Sequence, residues 1–377
     1  MKRVLYITDS LKQRFGVTSV IMNYITHFDF TNMRIDVLAY EDSETEIVDK
    51  INALGCKVFF MPTLGLKSIL SYRQFITEFF EVHRDEYDIV HSHFNQIDGI
   101  VFPIAKKYGA KACISHSHNT KWSESSIKAV RNKIMCLPQK YVATHWFACS
   151  KLAGEFMFGK AFNTSPKAWV LKNAIDCTQF HYNTDVRDQM RNKLGVSNKT
   201  VLGFVGSFKK QKNPSFVLDV YSDLIKQDPS TKGKYCLFMV GAGPIEDEVH
   251  QKVNDLGLNQ NDVKFLGRRS DVSDLLQAFD ILLLPSLYEG LPVTLIEAQI
   301  TGIKSIVSDT ITREVTITPN IEYLPITQGT GIWCEAIRKT SIDQRESKVK
   351  DAIAAGYEIN NAAKVLENYY LNILRKQ

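Results

Sequence analysis

Short β-rich runs alternate with longer helical patterns along the first half of the chain, and this rhythm constrains the fold more than any other feature. Arg3–Thr8, Arg34–Ala39 and Ile89–Ser92 are typical of strands, whereas Thr18–Phe28 and Ser68–Val82 repeat apolar residues at helical spacing. Strands that alternate with helices in this way form a parallel sheet with helices on both faces. The sequence therefore predicts a doubly wound α/β domain whose ligands bind beyond the carboxyl ends of the strands.

The same rhythm restarts near residue 200. Val201–Val205 is strand-like and ends at a glycine, and Pro214–Ile225 follows with a helical pattern. A chain of 377 residues is long enough for two domains. We expect two Rossmann-like domains, 1–172 and 173–356, and a C-terminal helix, 357–377, that closes the second domain or packs back on the first.

The composition excludes several classes of protein. No run approaches the roughly 18 apolar residues of a membrane-spanning helix, and the N-terminus turns polar too soon for a secretory signal. The seven cysteines include no Cys-x-x-Cys pair, so neither a disulfide framework nor a zinc site is predicted. We expect a cytoplasmic protein.

The net charge of +5 conceals one strongly basic segment. Between Lys106 and Lys172, twelve lysines and arginines stand against two acids, Glu124 and Glu155, so this segment carries +10 and the rest of the chain about −5. The segment is either a solvated basic face or a site for an anionic partner.

The first strand-to-helix turn contains one glycine, Gly16, which precedes Val17. A dinucleotide fingerprint needs three glycines, so a nicotinamide oxidoreductase is not predicted. Gly16 either forms a structural turn or lets a phosphate approach the amides at the start of the helix. A second glycine pair, in Gly241-Ala242-Gly243, is typical of a turn.

Three lysines follow the strand that ends at Gly206. The loop reads Ser207-Phe208-Lys209-Lys210-Gln211-Lys212, and Asn213 suits the start of the next helix. At the carboxyl edge of the second sheet, a lysine supplies a point charge for a phosphate. The alternative is a solvated run of charge.

The most specific motif is Glu289-Gly290-Leu291-Pro292-Val293-Thr294-Leu295-Ile296-Glu297. Pro292 suits the first turn of a helix, and the amides of Leu291–Thr294 together with the helix dipole form an anion site. Glu289 and Glu297 can accept hydrogen bonds from sugar and ribose hydroxyls. The motif therefore suits a polyol that is joined to a diphosphate.

Two histidine pairs end two predicted strands. Alternation places His116 and His118 on one side of their strand, facing the interdomain cleft. His91 and His93 are read as fold-supporting, with a role in the cleft as the alternative. No acidic or cysteine partner accompanies either pair and no Asp-x-Asp occurs, so no metal clamp for a diphosphate is predicted.

In this order, the motifs resemble the family 4 retaining glycosyltransferases of the two-domain GT-B fold, and above all their bacterial exopolysaccharide and capsule branch. The resemblance runs from Arg3–Ile7 to Tyr369 and is most specific in the paired-glutamate motif. Other segments that resemble this branch are Ser115–Asn119, Phe147–Ser150, Asn173–Asp176 and Gln211–Asn213.

The resemblance implies transfer of a sugar, with retention and without a metal or cofactor, from a nucleotide-diphosphate sugar, with UDP as the expected carrier. The expected acceptor is a hydroxyl of a glycan or of a lipid-diphosphate-linked sugar. No nucleic-acid partner is expected. The basic segment of the first domain would then attach the protein peripherally, without insertion, to the anionic inner face of the plasma membrane.

The resemblance also implies roles for single residues. Lys212 would hold the diphosphate, and His116 or His118 would lie beside the reacting sugar. Ser207 stands where the family usually has arginine, so Lys209 or Lys210 supplies that charge or donor binding is altered. The residues expected to bind the donor are Gly16, Val17, Gly206, Ser207, Lys209, Lys210, Lys212, Glu289, Gly290, Leu291, Pro292, Val293, Thr294 and Glu297. Those expected to act in catalysis are His116, His118, Glu289 and Lys212, and those expected to bind the acceptor are Asn95, Asn119 and Lys121.

Two alternative functions share this architecture. A sugar-nucleotide 2-epimerase would need several catalytic acids in the cleft. A non-catalytic sugar-nucleotide-binding partner subunit is compatible with Ser207 at the arginine position.

Overall fold

The chain is divided into two compact units. The computed structural model describes residues 1–12, 16–64, 68–123, 125–227, 233–259, 261–341 and 345–375. Unit 1 comprises Met1–Ile175 and Gly356–Gln377, and unit 2 comprises Asp176–Ala355. Each unit is built on its own parallel sheet.

Unit 1 contains a seven-stranded sheet in the order β3-β2-β1-β4-β5-β6-β7. Its strands are β1 (Lys2–Ile7), β2 (Met33–Tyr40), β3 (Val58–Met61), β4 (Ile89–Ser92), β5 (Ala112–Ser117), β6 (His145–Ala148) and β7 (Ala168–Val170). Its helices up to the end of this sheet are α1 (Gly16–Thr26), α2 (Thr45–Ala53), α3 (Ile69–Val82), α4 (Asp98–Lys107), α5 (Ser126–Cys136), α6 (Gln139–Val142) and α7 (Lys151–Phe158).

Unit 2 contains a six-stranded sheet in the order β10-β9-β8-β11-β12-β13. Its strands are β8 (Thr200–Val205), β9 (Tyr235–Val240), β10 (Val263–Gly267), β11 (Ile281–Leu284), β12 (Lys304–Ser308) and β13 (Ile321–Leu324). Its helices are α8 (Thr184–Leu194), α9 (Pro214–Gln227), α10 (Glu246–Asp255), α11 (Val272–Ala278), α12 (Val293–Ile300), α13 (Gly331–Lys339) and α14 (Val349–Ala354).

The strands are apolar on both faces because helices cover both sides of each sheet. In β1, Val4 and Tyr6 belong to one buried cluster, and Leu5 and Ile7 belong to another on the opposite face. All strand pairs in both sheets are parallel. The predicted pair of doubly wound Rossmann-like folds is confirmed.

In both sheets the strand order reverses beside the first strand of the unit. β1 pairs with β2 on one side and β4 on the other, and β8 pairs with β9 and β11 in the same way. The loops after these strands diverge to opposite faces of the sheet, which leaves room for a ligand at the carboxyl ends. We therefore expect functional residues at the carboxyl ends of the strand pairs β1/β4 and β8/β11.

The last helix, α15 (Ile359–Arg375), belongs to unit 1. Leu366 and Tyr370 join the buried cluster that contains Tyr6, and the hydroxyls of Tyr6 and Tyr370 are 3.0 Å apart. The C-terminal segment thus completes the core of the first sheet. Among the described helices, none combines the length and apolarity that a membrane span requires.

Candidate functional site

A buried ion pair joins the loops that follow β8 and β11. Nζ of Lys212 lies 2.6 Å from Oε1 of Glu289, with side chains 17% and 7% exposed. Lys212 ends the short 3₁₀ turn Lys210–Lys212, and Glu289 lies in the loop before α12. Because β8 and β11 are neighbours, their carboxyl ends bring together two residues that are far apart in sequence.

Hydrogen bonds to its backbone hold the Glu289 loop in place on both sides. The amide of Leu287 donates to the carbonyl of Gln211 over 2.8 Å, and Nε2 of Gln211 donates to the carbonyl of Tyr288 over 3.1 Å. From the loop after β12, Oγ1 of Thr310 donates to the carbonyl of Ser286 over 2.8 Å. The sequence indicates Gln211 only as part of the segment Gln211–Asn213 and does not indicate Thr310, because the contacts of both residues with this loop depend on the tertiary fold.

Helix α12 begins one residue later than the motif predicts. Pro292 is extended and precedes the helix instead of occupying its first turn. Because the helix starts at Val293, the amides of Val293 and Thr294 have no acceptor within it, which is what the predicted anion site needs. Leu291 lies buried before the helix, and Gly290 separates it from Glu289.

Glu297 lies further along α12 and is partly buried. Burial raises the pKa of its carboxyl to about 7, and the positive charge of Lys212 opposes that rise. Near neutral pH the carboxyl therefore exists in both protonation states and can either donate a hydrogen bond to a hydroxyl or accept one.

The glycine pair after β9 shapes the lysine loop. A Cβ at Gly241, whose φ is +136°, would collide with the carbonyl of Gly206, and a Cβ at Gly243 would collide with that of Phe208. The amide of Phe208 donates to the carbonyl of Ala242 over 3.0 Å. These glycines are needed for close packing of two loops, which fixes the backbone that leads to Lys212.

The other residues of the lysine loop lie along the same edge. Ser207 and Lys209 are partly buried, and Lys210 is exposed. Both lysines remain candidates for the charge that Ser207 does not supply.

Gly16 opens α1 in unit 1, followed by the partly buried Val17. A Cβ at Gly16 would meet no atom of the described chain within 4 Å, and its φ is not in the left-handed region. Neither packing nor backbone conformation therefore requires glycine here. The approach of a phosphate to Gly16 stays a prediction.

The two histidine pairs form a single cluster in unit 1. Nε2 of His91 is hydrogen-bonded to Nδ1 of His116 over 3.1 Å, and Nδ1 of His93 to Nε2 of His118 over 2.9 Å. The ring centroids of His116 and His118 are 4.0 Å apart. The sequence does not predict that the His91/His93 pair contacts the His116/His118 pair, because this contact depends on β4 lying beside β5.

Burial keeps this cluster uncharged. It lowers the pKa values of His91, His93 and His116 well below the usual range and that of His118 to about 4. His116 is fully buried, and its Nε2 has no hydrogen-bond partner among the described residues, whereas His118 is partly exposed. The two candidate residues are therefore not equivalent: His118 reaches solvent, and His116 offers a buried, unpaired nitrogen.

Three of these histidines have the geometry of a possible metal site. One ring nitrogen from each of His91, His93 and His116 lies within 4.8 Å of the others. Neutral imidazoles bind zinc and related transition metals. The expectation that the reaction needs no metal stays a prediction.

A second buried polar network lies beside the histidines. Nδ2 of Asn95 donates to Oγ of Ser115 over 2.9 Å, and that hydroxyl donates to the carboxylate of Asp98. Burial raises the pKa of Asp98 to about 7, and hydrogen bonds from Ser115, Ser92 and Asn95 oppose that rise. Asn95, predicted to bind the acceptor, thus uses its amide nitrogen inside the fold.

The other two residues predicted to bind the acceptor follow β5. Asn119 and Lys121 are both exposed, directly after His118. Unit 1 therefore presents polar and basic groups at its carboxyl edge.

Two units, each built on a parallel sheet with candidate site residues at the carboxyl ends of its strands, have the architecture of the GT-B fold. HepE from Anabaena, solved in complex with UDP and glucose, aligns over 100% of both chains with a TM-score of 0.73 and 17% identity. WaaG, a glycosyltransferase involved in lipopolysaccharide biosynthesis, aligns over 96% of this chain and 94% of its own with a TM-score of 0.69 and 15% identity. The chain has the GT-B fold.

The sequence comparisons define the class further. Residues 186–354 match the family described as Glycosyl transferases group 1. The putative glycosyltransferase EpsF of Bacillus subtilis is 27% identical over 98% of this chain and 96% of its own length. The chain therefore carries a glycosyltransferase group 1 domain, and the predicted resemblance is confirmed.

One further relative has a more specific name. It is the UDP-Gal:alpha-D-GlcNAc-diphosphoundecaprenol alpha-1,3-galactosyltransferase of Escherichia coli, 26% identical over 67% of this chain and 66% of that protein.

Proposed function

We propose that this protein transfers a sugar, with retention at the anomeric carbon, from a UDP-sugar to a hydroxyl of a glycan or lipid-diphosphate-linked acceptor in cell-surface polysaccharide synthesis. The observation that carries the proposal is the Lys212–Glu289 pair at the β8/β11 reversal, beside the start of α12 and Glu297. This arrangement provides a cation and amides for a diphosphate next to carboxyl groups for sugar hydroxyls.

Unit 2 would bind the donor. The ammonium of Lys212 and the amides of Val293 and Thr294 face the negative charge that develops on the departing β-phosphate. Glu289 would accept a hydrogen bond from the transferred sugar, and Glu297 one from the ribose. When the phosphate binds, Lys212 is shared between it and Glu289, so the carboxylate also positions the cation.

The reaction would need no carboxylate base. The bond between the anomeric carbon and the β-phosphate oxygen breaks, and the acceptor oxygen forms its bond on the same face of the sugar. The acceptor proton passes to the departing phosphate, which becomes the diphosphate product. The low pKa values of His116 and His118 make them weak bases, so they would orient the sugar and acceptor by hydrogen bonds.

The donor and acceptor classes come from the relatives. HepE was solved with UDP and glucose, and the name of the Escherichia coli relative contains UDP-Gal and a diphosphoundecaprenol-linked sugar. The basic segment Lys106–Lys172 suits a lipid diphosphate at the anionic inner face of the plasma membrane.

The test is transfer by the purified protein. UDP-, GDP- and ADP-sugars are incubated with a labelled, lipid-diphosphate-linked monosaccharide, and the anomeric configuration of the product is read by NMR. A retained product that forms from UDP-sugars without added metal supports the proposal. Absence of transfer from every donor, or an inverted product, overturns it.

Ser207 favours one second candidate, a non-catalytic nucleotide-sugar-binding subunit. Tight UDP-sugar binding by calorimetry, without hydrolysis or transfer, would support that candidate. Appearance of an epimer when the protein is incubated with the donor alone would instead identify a 2-epimerase.

A further inference from the structure

The helices α5 and α6 have an inverted distribution of side chains. Five of their large apolar residues are exposed to solvent, and the residues that they bury are Asn132, Cys136 and Gln139. The exposed set is Ile127 (84% exposed), Val130 (61%), Ile134 (60%), Leu137 (56%) and Tyr141 (77%). A helix of a water-soluble domain usually buries its apolar face, so this face suits contact with something other than water.

The five exposed residues form one continuous stripe, called here the apolar ridge. Leu137 and Pro138, between the two helices, keep α-helical dihedral angles, so the helical path continues from α5 into α6. At 3.6 residues per turn, the ridge residues fall within an arc of about 80°. Such a narrow stripe can enter a flat apolar layer without burying the rest of the helix.

Basic side chains flank the ridge on both sides. By helical position, Arg131 lies on one side, and Lys133 and Lys140 lie on the other, each about 80–100° from the middle of the ridge. No acidic residue occurs between 125 and 142. An apolar stripe with positive charge on both sides matches the acyl boundary and the headgroups of an anionic leaflet. A second copy would bring the same flanking positive charges against each other.

We propose that the apolar ridge inserts shallowly into an anionic lipid leaflet, with Arg131, Lys133 and Lys140 at the headgroups. This rests on the proposed function and deepens it, and shallow insertion replaces the attachment without insertion that the sequence predicts. Nδ2 of Asn132 donates to the carbonyl of Trp122 over 2.8 Å, which fastens α5 to the segment after β5 that begins with His118. Insertion therefore brings lipid headgroups near the histidine edge of unit 1.

The test is co-sedimentation of the full chain with vesicles of phosphatidylcholine that contain 30% phosphatidylglycerol, and with vesicles of phosphatidylcholine alone. The double variant Ile127→Ser/Ile134→Ser keeps the charge and removes the centre of the ridge. Leu70→Ser/Val82→Ser is the matched control, because these α3 residues are 83% and 79% exposed outside the ridge. We expect the ridge variant to bind the anionic vesicles at least about tenfold more weakly, and the control to bind as the wild type does.

Two further measurements separate insertion from other contacts. Lys133→Gln/Lys140→Gln should weaken binding about 25-fold, since each basic residue near the surface contributes about fivefold. Tyr141→Trp fluorescence should be quenched by brominated lipids. Wild-type binding by the ridge variant, or no quenching at Tyr141→Trp, overturns the proposal. A wild-type dimer in sedimentation analysis that the ridge variant dissociates also overturns it, because a second copy then covers the ridge.

The outcome is independent of the transferase test. If the enzyme is active, the ridge variant should keep wild-type transfer to a short-chain, water-soluble acceptor and lose transfer to a vesicle-embedded one. Failure of transfer with both acceptors would count against the proposed function and leave the vesicle-binding result intact.

Discussion

The hydroxyl of Tyr370, on the C-terminal helix α15, lies 2.5 Å from Nδ1 of His91, at the carboxyl end of β4. The hydroxyl of Tyr6 is hydrogen-bonded to that of Tyr370, and Nε2 of His91 is hydrogen-bonded to Nδ1 of His116. The four residues form a chain of hydrogen bonds with two possible directions. One direction leaves a proton on Nε2 of His116, and the other leaves a lone pair there, so Tyr370 influences which group His116 presents.

Replacing Tyr370 therefore tests whether the last helix positions His116. In Tyr370→Phe, Nδ1 of His91 loses its partner in a buried place, and the free energy of unfolding should fall by about 1–3 kcal/mol. If His116 orients the sugar, kcat should fall about fivefold, with little change in the KM of the donor. Steady-state kinetics and urea unfolding measure the two effects.

Tyr369→Phe serves as the control for this pair. Its ring stacks on Trp169 with centroids 4.5 Å apart, and its hydroxyl makes no hydrogen bond among the described residues. Equal kinetic effects of the two variants would show that Tyr370 acts only through packing.

The Lys212–Glu289 pair should be needed for chemistry more than for folding. Lys212→Met removes the cation that faces the departing phosphate, so kcat should fall about 10²–10³-fold. The unpaired carboxylate should also cost roughly 1–3 kcal/mol of stability. Lys226→Met, an exposed lysine on α9, is the matched control and should behave as the wild type does. Transfer by Lys212→Met within twofold of wild type would remove Lys212 from the mechanism.

Gly243→Ala should disturb the donor loop through backbone contact alone. The new methyl group would collide with the carbonyl of Phe208, and the loop that carries Lys212 would have to move. We expect a loss of about 1–3 kcal/mol in stability and weaker UDP binding by calorimetry. Gly331→Ala is the control, since a Cβ there meets no described atom and its φ is not left-handed. Unchanged UDP affinity in Gly243→Ala would show that this glycine does not shape the donor site.

The sequence predicts much of this architecture because its strongest signals are local. Strands, glycine turns and the motif from Glu289 to Glu297 are each read within about a dozen residues, and parallel topology then places them at one edge. The sequence does not predict which strands and helices lie next to each other. The contact between His91 and His116 depends on β4 lying beside β5, and that between Tyr370 and His91 on where α15 packs.

Helical periodicity also does not show which face of a helix is buried. The spacing from Ile127 to Tyr141 indicates an apolar face, which is ordinarily the buried one. Only the packing of Asn132 and Gln139 inward shows that this face is exposed. Burial depends on the whole fold, so a local sequence pattern cannot show whether an apolar face is buried or exposed.

The histidine cluster predicts how stability depends on pH. Its four histidines have lowered pKa values in the folded protein and an ordinary value near 6.5 when unfolded. Unfolding therefore takes up protons below pH 6.5. Stability should be greatest above pH 6.5 and should fall as the pH decreases toward the folded pKa values, by up to about 1.4 kcal/mol per pH unit for each histidine.

Asp98 acts in the opposite direction. Its pKa is about 7 in the folded protein and 3.8 otherwise, so unfolding releases a proton between those values. Asp98 therefore destabilises the fold progressively as the pH rises from about 4 to about 7. In Asp98→Asn this term is absent, and the stability of the variant relative to wild type should rise by up to about 1.4 kcal/mol per pH unit over that range.

Urea unfolding between pH 4.5 and 7.5 measures how the free energy of unfolding depends on pH, both through the histidine cluster and through Asp98. Asp188→Asn, an exposed aspartate on α8 in unit 2, is the control and should leave the wild-type slope unchanged. If the Asp98→Asn and wild-type curves stay parallel across this range, Asp98 is ionised in the folded protein and its network with Ser115 and Asn95 holds a carboxylate. Since Ser115 lies on the same strand as His116, this negative charge would then oppose the lowering of the histidine pKa values.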